Sequence, residues 1–188
     1  MRRTMWLVGA MAVLAAGVAQ AQEKTMAYVA PFGGYNHLTV DAGRVYNQSD
    51  TVRFDALELG ASFGFRFPVG LLLEVGRSTA VHSNIFDNDA DYDLTQSYGA
   101  VGWRIGFADS WHLIPKVGRE RWILSSDQKV LIDDAGERHH DIDGWENFWE
   151  IGLSHELNKK ISLGVNFRDV DQDFGHTRIG TFVATFAF

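Results

Sequence analysis

Apolar residues recur at every second position over most of the chain. The segment 57–67, for example, reads LELGASFGFRF. One face of such a segment is continuously apolar and the other is small or charged, which is typical of an antiparallel strand with one apolar face. Eight segments alternate in this way: 26–40, 54–67, 71–82, 94–107, 111–124, 145–157, 161–172 and 177–188.

The connections between these segments alternate in length. Short ones at 68–70, 108–110 and 158–160 are interspersed with longer polar ones at 41–53, 83–93, 125–144 and 173–176, of which the last is the shortest. Short turns on one side, longer loops on the other and an even strand number are typical of outer-membrane barrels, and closure leaves no unpaired sheet edge in lipid. The pattern therefore predicts an all-β fold, an eight-stranded antiparallel up-and-down transmembrane β-barrel with short periplasmic turns and longer extracellular loops.

The polar faces distinguish this barrel from a soluble β-sandwich or lipocalin-like barrel, which would point its apolar faces inward. Charged residues of both signs alternate there with glycines, and an eight-stranded barrel has room inside for side chains. Because an unpaired buried charge is costly, we predict a lumen filled by an ion-pair network. Its members are Glu58, Arg66, Glu74, Arg104, Lys116, Glu120, Glu146, Glu150 and Arg168. The alternative is a narrow pore in which these charges line an ion or proton pathway.

The first 21 residues follow a different pattern. Arg2 and Arg3 precede an apolar run from Met5 to Val18, and residues 19–21 read AQA, an A-x-A cleavage site. The run is shorter than the ~20 residues that a transmembrane helix needs. We therefore expect a secretory signal peptide over residues 1–21 and an outer-membrane barrel domain over residues 22–188.

Composition excludes several classes of function. With 46% hydrophobic residues, the 188-residue chain is too apolar for intrinsic disorder. A formal net charge of −7 argues against a nucleic-acid partner, which would require a basic face. The absence of cysteine excludes a disulfide framework, a thiolate metal site and a cysteine nucleophile. We also expect no cofactor.

The segment 180–188 reads GTFVATFAF and ends in Phe188, with Phe186 two positions earlier. This resembles the C-terminal signal of bacterial outer-membrane proteins. Together with the alternating segments, it makes the chain similar to the small eight-stranded outer-membrane barrels of the OmpA/OmpX/Ail type. The resemblance implies that the barrel-assembly machinery reads Phe186 and Phe188. It also implies a structural or surface-interaction role, and we expect a monomer.

Three arginines interrupt the apolar stripes: Arg77, Arg119 and Arg121. On a lipid-facing surface an arginine costs about 2–4 kcal/mol at the midplane and little near the interfaces. Arg119 and Arg121 lie toward the loop end of their strand, where they could pair with lipopolysaccharide phosphates. For Arg77, a lipid contact and a β-bulge that reverses the phase of its strand both remain open.

The predicted loops are rich in acidic residues and histidine. Asp87, Asp89 and Asp91 have a D-x-D-x-D spacing that could present oxygens to Ca²⁺ or Mg²⁺, although acidic loops also serve solubility alone. Ser83 beside His82 suggests a nucleophile and a base, but adjacent strand residues point to opposite faces. We therefore predict an outer-membrane protein with a structural or surface-interaction role rather than an enzyme. A lipid A-modifying deacylase or acyltransferase is the alternative from another class.

Overall fold

The computed structural model describes residues 24–41, 44, 50–81, 92–126, 131, 132 and 136–188. The predicted signal peptide lies outside these ranges. The strands within them are β1 (Met26–Val40), β2 (Val52–Arg66), β3 (Leu71–Val81), β4 (Tyr92–Trp103), β5 (Ile105–Ala108), β6 (Trp111–Ser126), β7 (Leu131–Ile132), β8 (Arg138–His139), β9 (Asp141–Asn158), β10 (Ile161–Gln172) and β11 (Gly175–Ala187). Among the described residues, no helix is long and apolar enough to cross a membrane.

In the described part of the chain, eight strands form one closed antiparallel barrel. β1, β2, β3, β4, β6, β9, β10 and β11 pair in that order, and β11 returns to β1. β5 continues the line of β4 after an interruption at Arg104 and also pairs with β6, while β7 and β8 form a separate two-stranded ribbon. The predicted eight-stranded up-and-down barrel is confirmed.

The strands are tilted against the barrel axis. Following the paired residues once round the barrel from Tyr28 leads back to Leu38 on the same strand, not to Tyr28. Such a displacement is what closure with tilted strands requires. Even when tilted, the eight barrel strands, which have 11 to 18 residues, are long enough to cross the apolar layer of a membrane.

The two ends of the barrel differ in their connections. At one end, called the turn end, β2–β3, β5–β6 and β9–β10 are joined by short turns. The opposite end, called the loop end, has longer connections after β1, β3 and β6, but a two-residue turn at Asp173 and Phe174 joins β10 to β11. The longer loop predicted at 173–176 is therefore wrong. At the start of β11 only glycine fits, because a Cβ on Gly175 would lie 1.8 Å from the Thr39 carbonyl oxygen.

The apolar faces of the strands point away from the barrel axis. Large hydrophobic side chains on this outer face are widely exposed, with Phe182 at 75% and Val117 at 64%. The charged faces point inward, where Glu58 and Glu120 are almost completely buried. A soluble barrel would show the reverse arrangement, so this distribution distinguishes the two predicted alternatives in favour of a membrane barrel.

Candidate functional sites in the lumen and on the outer face

The centre of the lumen holds a lysine between two glutamates. Lys116 Nζ lies 3.0 Å from Glu74 Oε1 and 2.9 Å from Glu150 Oε1. The Glu74 carboxylate also accepts hydrogen bonds from the Tyr28 hydroxyl at 2.8 Å and the Tyr98 hydroxyl at 3.2 Å. All five side chains are buried. Charges in such a place need partners, and here the lysine and both glutamates have them.

Arg168 extends this arrangement across the lumen. Its Nε and Nη2 donate to Glu150 Oε2 at 3.0 and 2.8 Å, and its Nη1 lies 3.7 Å from Glu120 Oε2. The guanidinium also lies 4.1 Å from the ring centroid of Tyr98 and 4.3 Å from that of Phe148. Arginine suits this place because its planar group can stack on rings while it donates in its own plane.

Interior glycines make room for those rings. A Cβ on Gly76 would lie 2.4 Å from the Tyr98 ring, and a Cβ on Gly118 would lie 2.4 Å from the Phe148 ring. At these two positions the glycines give space to the aromatic rings that contact Arg168, so their effect on the charge is indirect.

The remaining two buried carboxylates are held by amides. Glu58 accepts a hydrogen bond from Asn36 Nδ2 at 2.7 Å. Glu120 Oε1 accepts from Gln96 Nε2 at 2.8 Å and from Gln172 Nε2 at 3.1 Å. These amides sit on the inward-facing positions of their strands but carry no charge. A search for oppositely charged partners in the sequence therefore does not find them.

The other three residues of the predicted network lie apart from this centre. Arg104, near the turn end, forms an ion pair with Glu156 and approaches His112 Nδ1 at 3.1 Å. Arg66 Nη2 lies 3.2 Å from Met26 Sδ, and Glu146 is half-buried toward the loop end. Glu156 was not predicted, although it has the same strand phase as Glu150 and this alternation could have identified it.

An apolar cluster, here called the plug, fills the lumen at the loop end. Trp122 and Phe174 meet edge to face with ring centroids 4.5 Å apart, and both are about as buried as a protein interior allows. The plug consists of Leu38, Val40, Ala56, Ala80, Leu94, Trp122, Leu124, Leu131, Ile142 and Phe174. The lumen is therefore not ion-paired throughout, because apolar side chains fill it at the loop end.

A cavity of about 70 Å³ lies on the other side of the charged centre. Lys116 and Arg168 border it, together with Arg66 and Arg104 from the turn end. This volume is enough for a few water molecules, and the polar side chains around it offer them partners. The charged centre thus lies between this cavity and the plug.

The three predicted outer-face arginines come together on β3 and β6, the two strands that flank β4. Arg77 on β3 pairs with Ser97 on β4, and Ser97 pairs with Arg121 on β6. Arg119 precedes Arg121 on the same face, and all three side chains are exposed. The pairing of β3 with both neighbours runs through Arg77 without a register shift, so the alternative of a bulge at Arg77 is wrong. We call this set the arginine row.

Neighbouring side chains hold part of the row in place. Arg121 forms an ion pair with Asp143, with Nη2 3.1 Å from Oδ2. The Arg119 guanidinium lies 5.5 Å from the ring centroid of Trp145, within the range of a cation–π contact. Exposed tryptophan and arginine side by side on the outer face are typical of the interface between hydrocarbon and headgroups.

Several predicted residues lie outside the described part of the chain. These are His82 and Ser83 of the hydrolase alternative and Asp87, Asp89 and Asp91 of the candidate cation site. Within the described ranges, no group of three or more histidine or acidic residues is placed to hold a metal ion. Phe186 and Phe188 both have exposed side chains.

Comparison with known proteins agrees with this architecture. A model of the family described as outer membrane protein beta-barrel domain matches residues 7–187. No curated protein matches the chain in sequence.

Solved structures with the same fold share little sequence with this chain. Neisserial surface protein A (NspA) has a TM-score of 0.61 at 12% identity, covering 88% of this chain and 100% of its own. Ail, the attachment invasion locus protein of Yersinia pestis, solved with the heparin analogue sucrose octasulfate, has a TM-score of 0.56 at 10% identity, with 88% and 100% covered. The N-terminal β-barrel domain of Pseudomonas aeruginosa OprF has 0.52 at 12%, with 89% and 100% covered.

At such identities the structural likeness shows the fold alone, whereas the family match spans nearly the whole chain. Both agree with the closed barrel and its outward apolar faces. The chain therefore belongs to the family of outer membrane protein beta-barrel domains and is an integral outer-membrane protein.

Proposed function

We propose that this protein is a closed barrel with a structural or surface-interaction role, which acts through its outer surface and loops rather than through its lumen. The observation that carries the proposal is the plug, because it fills the outer mouth of the lumen with buried apolar side chains. A hydrophobic constriction excludes hydrated ions by dewetting. Below it, Lys116 and Arg168 are engaged by carboxylates and so form no open path.

The narrow pore is the alternative that conductance measurements address. We expect purified full-length protein in planar lipid bilayers to show no steady, discrete openings. A folded porin recorded in the same chamber controls for insertion and detection. Reproducible unitary conductance from this protein, at a level that scales with salt concentration, would contradict the proposal.

A non-enzymatic role is part of the same proposal. A palmitoyl-transferring barrel needs an apolar lumen for an acyl chain, whereas the centre of this lumen carries the buried charges of Glu74, Lys116 and Arg168. The catalytic alternative at His82 and Ser83 rests on their adjacency in the sequence alone. Binding of Ca²⁺ or Mg²⁺ by Asp87, Asp89 and Asp91 stays a prediction.

For the surface interaction, we propose that Arg77, Arg119 and Arg121 contact the phosphates of lipopolysaccharide. Their exposure on β3 and β6, the strands on either side of β4, supports this, because guanidinium groups bind phosphate through paired N–H donors. We further propose that residues 1–21 direct export as a signal peptide and are then cleaved off. We propose that the barrel-assembly machinery inserts the barrel by reading Phe186 and Phe188, and that the protein is a monomer in the membrane.

A further inference from the structure

The outer face carries an apolar groove beside the arginine row. Its walls are formed by Phe63 and Phe65 on β2, Val75 on β3, Gly99 and Val101 on β4, and Val117 on β6. The groove has a volume of about 510 Å³, and its side chains are exposed. It crosses four neighbouring strands and is therefore a feature of the barrel wall, not of a loop.

The groove exists because of Gly99. This residue lies on the exposed face of β4, and a Cβ at this position would meet no heavy atom within 4 Å. Larger residues on the adjacent strands, such as Val75 and Val117, stand on either side of it. A missing side chain between these larger ones leaves a depression in this part of the outer face.

The groove and the arginine row are continuous. Gly99 is the paired neighbour of Arg119 across β4 and β6. Val117 precedes Arg119 by two residues on the same face of β6, and Val75 precedes Arg77 in the same way on β3. Because both strands run from the turn end to the loop end, the arginines stand at the loop-side edge of the groove. The apolar walls extend from there toward the turn end.

We propose that the groove and the arginine row together form a binding site for one molecule of lipid A, the phosphorylated and acylated anchor of lipopolysaccharide. An acyl chain occupies the groove around Gly99, and a phosphate contacts Arg77, Arg119 and Arg121. This inference rests on the proposed phosphate contact and adds the acyl-chain seat. The polarity matches a lipid of the outer leaflet, whose headgroup faces the loop end and whose chains point toward the turn end.

The charges favour this occupant over a neutral phospholipid. Arg77 and Arg121 lie level with each other on either side of Ser97, and Arg119 is two residues from Arg121 on the same face, which brings positive charge to one edge of an apolar surface. Asp143 contacts one edge of the Arg121 guanidinium group, but the Arg121 side chain remains 49% exposed. Arg121 is thus oriented and yet reachable, which suits recognition of a phosphate.

The test titrates purified full-length protein in detergent with lipid A and, separately, with phosphatidylcholine, and counts bound lipids by native mass spectrometry. Gly99→Leu fills the groove, and Val117→Phe fills it from the neighbouring strand. Gly180→Leu is the matched control, because Gly180 also lies on the exposed outer face with no heavy atom near a Cβ, on the opposite side of the barrel. Circular dichroism checks that each variant is folded.

We expect wild-type protein to hold one lipid A, and phosphatidylcholine to bind about tenfold more weakly. Gly99→Leu, Val117→Phe and the triple variant Arg77→Ala/Arg119→Ala/Arg121→Ala should each weaken lipid A binding about tenfold, while Gly180→Leu leaves it unchanged. If both groove variants bind as wild type while the triple variant loses binding, the groove is not an acyl seat, but the phosphate contact stands. Unchanged binding in all variants would overturn both.

Discussion

At the scale of single residues, burial decides how much each charged side chain contributes to the stability of the barrel. Glu150 contacts both Lys116 and Arg168 and is 3% exposed, whereas the pair of Arg121 and Asp143 is about half exposed. Water and salt screen the exposed pair, so its contribution to stability is small. Water and salt do not screen the buried Glu150 carboxylate in this way. Its removal leaves Lys116 and Arg168 with fewer partners in the lumen.

We therefore predict that Glu150→Gln lowers the free energy of unfolding by about 3 kcal/mol. Asp143→Asn makes the same chemical change at an exposed pair and should cost about 0–1 kcal/mol. Urea unfolding of both variants in lipid vesicles measures the difference. Equal losses for the two variants would mean that the lumen charges are solvated and do not depend on one another.

At the scale of elements, the short β10–β11 turn also contributes to the packing of the barrel mouth. Phe174 lies between Asp173 and Gly175 and turns into the barrel mouth, where it packs on Trp122. The close passage of Gly175 against Thr39 lets the turn approach β1. The turn therefore supplies part of the plug as well as joining two strands.

Phe174→Ala should open a cavity in the plug and lower the unfolding free energy by about 3 kcal/mol. Phe182→Ala, on the lipid-facing side of β11, leaves no internal cavity and should cost clearly less.

The cysteine-free chain also allows a direct probe at Ser78, which lies two residues before the plug residue Ala80 on the same face of β3. A thiol reagent should label Ser78→Cys faster in the Phe174→Ala background than alone. Equal labelling rates would show that the plug does not close the mouth.

The sequence predicts the strands well because their alternation has a single period. β10 begins and ends where predicted, whereas β9 begins four residues before the predicted 145 and ends one residue after the predicted 157, since its backbone pairing with β6 continues through Ile142 to Asp141. The plug was not predictable in this way. Phe174 sits in a polar segment and Leu131 in a connection, so neither belongs to an alternating stretch. Their burial depends on how the loop end folds over the barrel mouth, which strand periodicity does not encode.

The lumen centre was predictable by face but not by partner. Alternation places Glu58 and Glu120 on the inward side, where both are buried. Which groups satisfy them depends on strand register, and a shift by two residues would exchange every cross-strand neighbour while keeping the same face inward. The amides of Asn36 and Gln96 could therefore be assigned only once the pairing of the strands was known.

At the scale of the whole molecule, the outer face differs between its two sides. The arginine row on β3 and β6 brings three guanidinium groups together, of which Arg121 pairs with Asp143, whereas elsewhere on the outer face basic side chains stand in pairs with carboxylates. There His37 Nδ1 lies 2.7 Å from Asp55 Oδ1, and Arg178 Nε lies 3.4 Å from Asp169 Oδ2. In the described part of the outer face, basic side chains are thus concentrated beside β4. Anionic lipid should accordingly gather there and not encircle the protein evenly.

The closing strand of the barrel raises a separate question, which is whether its aromatic residues serve packing or recognition. Phe188 is 66% exposed, and its backbone N–H donates to the Ala27 carbonyl at 2.9 Å. A substitution of the side chain keeps this hydrogen bond and removes little packing. A role in stability and a role in assembly therefore make different predictions for the same variant.

We predict that Phe188→Ala lowers the amount of folded barrel in the outer membrane of cells several-fold. After refolding in lipid vesicles, its unfolding free energy should stay within about 0.5 kcal/mol of wild type, as for surface substitutions elsewhere. Phe182→Ala, on the same strand and even more exposed, serves as the control and should assemble normally in cells. If both variants lose assembly equally, the effect comes from general hydrophobicity of β11. If Phe188→Ala is also destabilised after refolding, Phe188 contributes to packing, and recognition by the assembly machinery is not needed to explain the loss.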